Sequence, residues 1–293
     1  AMKEKAGLTG RGKRMERAIM AVPVSLWMVL FVAVPIGYIF IMSFLEQGDF
    51  SAVKLAFTLD NYREMANPLN LAVFGKSIVI ATVTTVLCLL IAYPFAFFVA
   101  QKSTITKTVC MAFVMIPFMV SSLIRLFSWI TILRRDGILN TVLMDIGLIH
   151  APVQLCYNMI GAVIGLVYTL LPFMILPLYS SIEKLDPSLL EAASDLGAHL
   201  LQRFVKVILP LTFPGIFAGI IMVFIPTLGL FFVTDVMGGQ KVQVIGNLIQ
   251  NQFVTARNWP AGAALSIVLI LLTFLFIGIY KGCGGSMDDL GGV

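Results

Sequence analysis

Six stretches of this chain contain no Lys, Arg, Asp or Glu: residues 18–45, 77–101, 108–124, 151–182, 207–234 and 258–280. A helix needs about 20 residues to cross a ~30 Å hydrocarbon core, and these windows approach or exceed that length. Strands of a membrane barrel alternate apolar and polar residues in segments of about ten, and these runs do not. The chain is 59% hydrophobic and 12% charged, where a soluble domain has roughly a quarter of its residues charged. The pattern predicts an all-α membrane protein with six transmembrane helices. The third window is the weakest. It stops at Arg125, yet residues 126–133 are apolar again. Either Arg125 snorkels from a helix that continues to Leu133, or a short amphipathic segment follows the span. The first reading is preferred, because Arg near a helix end commonly snorkels.

Charge sets the orientation. Twelve of the 20 Lys and Arg residues fall on one side if the N-terminus lies inside: Lys3, Lys5, Arg11, Lys13, Arg14, Arg17, Lys102, Lys107, Lys184, Arg203, Lys206 and Lys281. The excess sits beside the first span, where the positive-inside rule weighs most. Both termini are therefore expected in the cytoplasm. The net charge of +5 reads as topology. No basic stripe interleaved with aromatics marks a nucleic-acid surface. The first apolar run is too long for the core of a signal peptide, so a retained helix is expected. The chain divides into a cytoplasmic tail (1–17), a first transmembrane helix (18–45), an outer segment (46–71), the remaining spans and a flexible tail (281–293). In the outer segment, Thr58 or Asp60 is placed to cap a short surface helix. Cys88, Cys110, Cys156 and Cys283 show no ligand spacing, and His150 and His199 stand alone, so no metal site and no active site is indicated.

Pro94, Pro117, Pro172, Pro177, Pro214 and Pro226 lie in or near spans, where each removes a backbone hydrogen bond and favours a kink. Gly161-x-x-x-Gly165 and Gly215-x-x-x-Gly219 allow close helix approach. Between the fourth and fifth apolar runs, Asp186-Pro187 is a good helix start, with Asp as N-cap and Pro in the first turn. Ser188-x-x-Glu191 overlaps it as a capping-box match. Leu189, Leu190, Ala192 and Ala193 then give a smooth apolar face, and Gly197 can take the left-handed conformation that ends a helix. A helix of about ten residues follows, roughly 15 Å long, stranded outside the membrane with an apolar face. Helices that lie on lipid carry Lys or Arg opposite bulky Trp or Phe. This one carries Glu191, Asp195 and small residues, which favours docking to another protein. Glu191 has two open roles, as a cap or as a charge partner for that protein.

Glu191-Ala192-Ala193, Gly197, Val207 and Leu209-Pro210, at these spacings, resemble the coupling loop of type I ABC-importer permeases, with Val207 where that family has Ile. The likeness extends through Phe57-Thr58-Leu59-Asp60-Asn61-Tyr62, Leu171-Pro172-Phe173-Met174, Leu178-Tyr179-Ser180-Ser181-Ile182-Glu183-Lys184-Leu185-Asp186, Asp235-Val236-Met237-Gly238-Gly239 and Trp259-Pro260-x-Gly262-Ala263-Ala264. Over nearly the whole chain it resembles the membrane subunits of spermidine/putrescine importers. The resemblance implies a MetI-like permease domain over 72–280 with its coupling loop at 186–210, in a bacterial inner membrane. It implies that Glu191, Ala192, Ala193, Gly197, Leu209 and Pro210 couple to an ATPase. It also implies partners: a cytoplasmic ATPase homodimer, a second homologous permease, and an extracytoplasmic binding protein that delivers the polyamine. The chain is then a transport subunit and not an enzyme. It needs no cofactor of its own, because ATP and magnesium are bound by the ATPase chains.

A polyamine is a flexible cation, so its route should offer carboxylates, carbonyls and aromatic faces. Asp235, Phe231, Phe232 and Tyr168 are the candidates, and an ordinary loop acid or a helix-end contact is the competing reading of Asp235. Arg125, Arg134 and Arg135 weigh against a wholly negative outer mouth. Gly7-x-x-x-x-Gly12-Lys13 imitates a phosphate-binding loop, but Arg14 stands where Ser or Thr should hold magnesium. Rival readings are an ABC permease for an inorganic anion or iron, an ion-coupled secondary transporter, and a membrane scaffold. The second normally needs ionisable groups inside its spans, and these windows lack them.

Overall fold

The computed structural model describes residues 22–48 and 53–282. The tail at 1–17, the phosphate-loop look-alike at 7–13 and most of the segment at 281–293 lie outside those residues. Helix α1 (Val22–Met42) is followed by a hairpin of β1 (Leu45–Gln47) and β2 (Val53–Phe57). Then come α2 (Asp60–Met65), α3 (Pro68–Ala100), α4 (Thr104–Met115), α5 (Ser122–Leu133) and α6 (Ile138–Asp145). The second half holds α7 (Met159–Glu183), α8 (Pro187–Asp195), α9 (Leu200–Gly229), α10 (Phe231–Val233), α11 (Ile245–Gln250) and α12 (Trp259–Gly282).

Helices α3, α7 and α9 pack on one another and hold the largest apolar cluster, with Cys88, Ala92 and Ala96 facing Leu170, Met174, Leu178 and Val223. Small residues of α3 receive the larger ones of α7 and α9, while Leu90, Phe98, Leu271 and Phe274 point outward. In lipid there is no hydrophobic gain from hiding Leu, so close packing of small residues decides which faces meet. Each glycine pair finds a definite neighbour. A Cβ on Gly161 would lie 2.7 Å from the Met237 carbonyl, and one on Gly165 3.0 Å from Val233 Cγ1. Gly215 and Gly219 of α9 receive Pro177, Ser181 and Met174 of α7. Tyr93 Oη and Thr212 Oγ1, 3.0 Å apart and buried, add a polar link between α3 and α9.

Five helices are long and apolar enough to cross a membrane, and counting one bent pair as a single span gives six. The bent pair corrects the expectation for the third window. Residues Thr104–Met119 and Ser122–Asp145 meet at 98°, so no continuous helix carries Arg125 to an interface. Pro117 sits in a 3-10 turn at Ile116–Met119, and Val120 is extended at φ −86°, ψ 142°. The Ser121 carbonyl then accepts from the Arg125 N–H to start α5. Arg125 thus lies in the first turn of a new amphipathic helix, the alternative that had been set second.

The outer segment also holds more than the single surface helix expected. Strands β1 and β2 are antiparallel, pairing Gln47 with Val53 and Leu45 with Phe57. Phe44 stacks on Phe57 at 5.6 Å, and Asn61 Nδ2 donates to the Ser43 and Leu45 carbonyls. Neither Thr58 nor Asp60 is the cap of α2: Leu59 holds that position without a side-chain bond, while Thr58 Oγ1 accepts from the Asp60 N–H just inside the helix.

Candidate functional site

Helix α8 stands at one end of the bundle with both termini tied down. Asp186 Oδ1 accepts from the Ser188 N–H at 2.9 Å, and Pro187 fills the first helical position. The Ser188 backbone and hydroxyl hold the Asp186 carboxyl below its ordinary range. For a depressed folded-state pKa, the contribution to stability is complete above the unfolded value and disappears as pH falls through the folded one. Acidifying from about pH 7 to about pH 5 should therefore leave the cap intact. Exchange protection of the Ser188 amide, corrected for intrinsic rate, checks this, and protection lost in that window would contradict it.

At the other end, Gly197 adopts φ +79°. Its N–H donates to the Ser194 carbonyl at 2.9 Å, and the Ala198 N–H donates to the Ala193 carbonyl at 3.0 Å. This pair of bonds is a Schellman motif. Ser194 Oγ also receives Arg203 Nη1 at 2.7 Å, which ties the rod to the start of α9.

The capping role open to Glu191 is not realised. Asp186 has taken the Ser188 amide, and Glu191 is exposed without a hydrogen bond among the described residues. Its neighbour Ala192 is exposed as well. Further along the chain, Leu196, Leu200 and Leu201 are 89%, 78% and 66% exposed. Leu209 and Pro210 are placed differently. Leu209 packs on the core of α3, α7 and α9, and its N–H closes the π turn Phe204–Ile208 onto the Phe204 carbonyl. Pro210, which has no N–H, stands directly after that turn. The six residues therefore fall into a surface rod (Glu191, Ala192, Ala193, Gly197) and a footing inside the next helix (Leu209, Pro210).

The second group of candidates forms two clusters. Asp235 lies in the π turn Thr234–Gly238 that continues α10, and is exposed. Asn247 of α11 holds it, donating from Nδ2 to Asp235 Oδ1 at 2.6 Å, while Asn247 Oδ1 accepts from Thr234 Oγ1 and the Val244 N–H. Phe231 and Phe232 are half-buried beside it. Tyr168 belongs elsewhere. Its ring meets Trp129 at 5.3 Å, and the Arg125 guanidinium lies 5.6 Å from it and 4.8 Å from Phe118. Arg125 Nε and Nη1 are buried without a hydrogen-bond partner. Asn247, Phe118 and Trp129 were not anticipated. Arg125 at least showed as a lone charge in an apolar run.

A half-open cavity of about 1150 Å³ runs along α7 from Phe173 to Glu183, bordered by Lys107 and Met111 of α4 and by Leu211 and Pro214 of α9. At its end Glu183 Oε1 accepts from Lys107 Nζ at 2.9 Å and from Tyr179 Oη at 2.7 Å. No group of His, Cys, Asp and Glu among the described residues is placed to hold a metal ion.

The profile of the family described as binding-protein-dependent transport system inner membrane component matches residues 92–283. The chain belongs to this family. The permease is 46% identical over 261 residues to the spermidine/putrescine transport system permease protein PotB of Escherichia coli (strain K12), covering 89% of this chain and 95% of that one. It is 45% identical over 254 residues to PotB of Haemophilus influenzae, covering 87% and 89%. The inner membrane ABC transporter permease protein YdcU of Escherichia coli (strain K12) is 34% identical over 80% of this chain and 79% of its own. A chain of a bacterial alginate ABC transporter crystal structure superposes with a TM-score of 0.73 at 16% identity, covering 91% of the permease and 94% of that chain. That likeness shows the fold alone. The permease is an inner-membrane transport subunit and not an enzyme, and it works with an ATPase and a substrate-binding protein.

Proposed function

We propose that the permease carries polyamines of the spermidine/putrescine kind into the cytoplasm, with α8 as the contact through which an ATPase moves the bundle. The observation that supports the docking role most is the state of Glu191. It is exposed and free of the capping bond open to it, and the leucines that follow in the chain, Leu196, Leu200 and Leu201, are left uncovered. Exposed apolar patches of this kind mark interaction surfaces. Alanines at 192 and 193 let a partner's groove approach the backbone. The cargo follows from relatives at 45–46% identity over most of the chain, whose names give spermidine and putrescine. In this reading two identical ATPase chains sit below and hold ATP and magnesium. A second, homologous permease completes the pore, and a binding protein delivers cargo from the other side.

Reconstitution tests this. Vesicles holding the permease with its ATPase, its companion permease and its binding protein should take up spermidine with ATP, not with a non-hydrolysable analogue, and regardless of ionophores. Uptake that follows an ion gradient without ATP would overturn the reading. Uptake of iron or an inorganic anion in place of spermidine would keep the architecture and replace the cargo.

Asp235 is the route's outer carboxylate in this proposal. A charge-assisted hydrogen bond is worth about 1.5–3 kcal/mol, so Asp235→Asn should lower spermidine uptake by about tenfold. The amount of assembled complex should not change, because Asn can still accept from Asn247. Unchanged uptake at equal expression would remove Asp235 from the route.

A further inference from the structure

The end of the α7 cavity already holds an alkylammonium. Lys107 Nζ and Tyr179 Oη converge on the same oxygen, Oε1 of Glu183, which leaves Oε2 available. The Lys107 and Glu183 side chains are 24% and 42% exposed, so neither is sealed away from the cavity beside them. Ser180 and Ser181 line the same wall, and Phe173 marks its far end. From Phe173 to Glu183 the wall extends about 15 Å at 1.5 Å per helical residue, which suits an extended aliphatic amine. The Phe173 ring lies 5.6 Å from Phe118, edge to face, and Phe118 in turn carries the Arg125 guanidinium. The wall of the cavity thus runs from the aromatic Phe173 to a carboxylate bearing an ammonium.

We infer that Glu183 and Tyr179 form a release-side subsite for a primary ammonium of the cargo, and that Lys107 is the resident ammonium that occupies it when cargo is absent. This inference rests on the polyamine reading above and adds a site to it. The other charged groups at the cavity are Lys184 and Asp186. They balance one another, so the local preference for a cation comes from Glu183 once Lys107 swings away. An arriving ammonium donates to the carboxylate as Lys107 does. When Lys107 returns, it competes the cargo off toward the α8 end of the bundle. A partly exposed ion pair of this kind is weak, so exchanging one ammonium for another is close to isoenergetic. A carrier must release what it binds, and such an exchange suits that step.

A plain latch between α4 and α7 makes a different prediction. Breaking a latch from either side should have the same effect, whereas removing the acceptor and removing the competitor should have opposite effects. The measurement is retention of radiolabelled spermidine by the assembled transporter in nanodiscs, without ATP and without the binding protein. Glu183→Gln should weaken retention by about tenfold, and Tyr179→Phe should weaken it less. Lys107→Met should strengthen it several-fold and slow turnover. Stimulation of ATP hydrolysis by the binding protein reports that each variant is assembled. If Glu183→Gln and Lys107→Met change retention in the same direction, or neither changes it, the subsite is overturned while the polyamine reading stands. If the unaltered transporter retains and imports no spermidine, the polyamine reading fails and the subsite falls with it.

Discussion

Gly197→Val should leave the permease inserted and assembled, with ATP still hydrolysed, while spermidine uptake falls by at least about tenfold. Gly197 sits at φ +79° with open space where a Cβ would go, so the penalty is conformational and involves no clash. A left-handed residue with a side chain costs roughly 1–2 kcal/mol, and more for a β-branched one. The chain's cheapest escape is to abandon that conformation. It then loses the Gly197 and Ala198 amide bonds that close α8. The rod would still exist, since Asp186 caps its other end, but its angle to α9 would no longer be fixed. A motor that moves a loose rod turns over without moving the bundle. Gly197→Asn serves as the control, because Asn tolerates this region best after glycine and should keep most of the uptake. The ratio of uptake to hydrolysis in the same vesicles is the quantity to measure. A Val variant that transports normally would contradict the lever.

Gly161→Ala should be strongly destabilising, and Gly219→Ala should be far milder. At Gly161 the added carbon would meet the Met237 carbonyl at 2.7 Å and the Leu155 carbonyl at 2.8 Å, both backbone. Neither can rotate aside, so the π turn Thr234–Gly238 must move away from α7. That shift strains the 2.7 Å bond from the Tyr157 N–H to the Met237 carbonyl, and Asp235 travels with the turn. Overpacking costs about 1–3 kcal/mol, which outweighs the roughly 0.5–1 kcal/mol that alanine gains over glycine in a helix. At Gly219 the closest atom is the Met174 sulfur, the far end of a flexible side chain, and Met174 backbone atoms begin at 3.4 Å. There the helix gain can offset most of the crowding. Thermal unfolding of the two purified variants should separate them by several degrees. Equal melting temperatures would contradict the account of how α7 seats its neighbours.

The helical spans were readable because hydropathy in lipid is a coarse, long-range signal. A kink at Pro117 was expected from its missing N–H, but a 98° break was not, since residues on both sides of it are apolar and a window average sees no gap. Ser188 illustrates a finer limit. Asp186 and Glu191 both had a pattern for bonding its backbone, and only the folded geometry shows that Asp186 takes the amide. The glycine pairs announced close packing without a partner, because the partner carbonyls at Leu155 and Met237 leave no trace in residue type. Asn247 was invisible for a related reason. A lone amide in a polar loop gains meaning only when folding brings it to Asp235 and Thr234. The hairpin at 45–57 is too short for its alternation to stand out. The helix Pro187–Asp195 was legible residue by residue, since its Asp186 cap and the left-handed glycine after it are local requirements.

The proposed contact between α8 and the motor is tested most directly by cysteine crosslinking from Ala192→Cys, in a permease whose native cysteines have been replaced. In inverted membrane vesicles containing the whole transporter, position 192 should crosslink to the ATPase, and the yield should change between nucleotide-free and ATP-bound states. Position 192 labelled from the outer face of intact cells, or a crosslink formed only to lipid, would contradict the account.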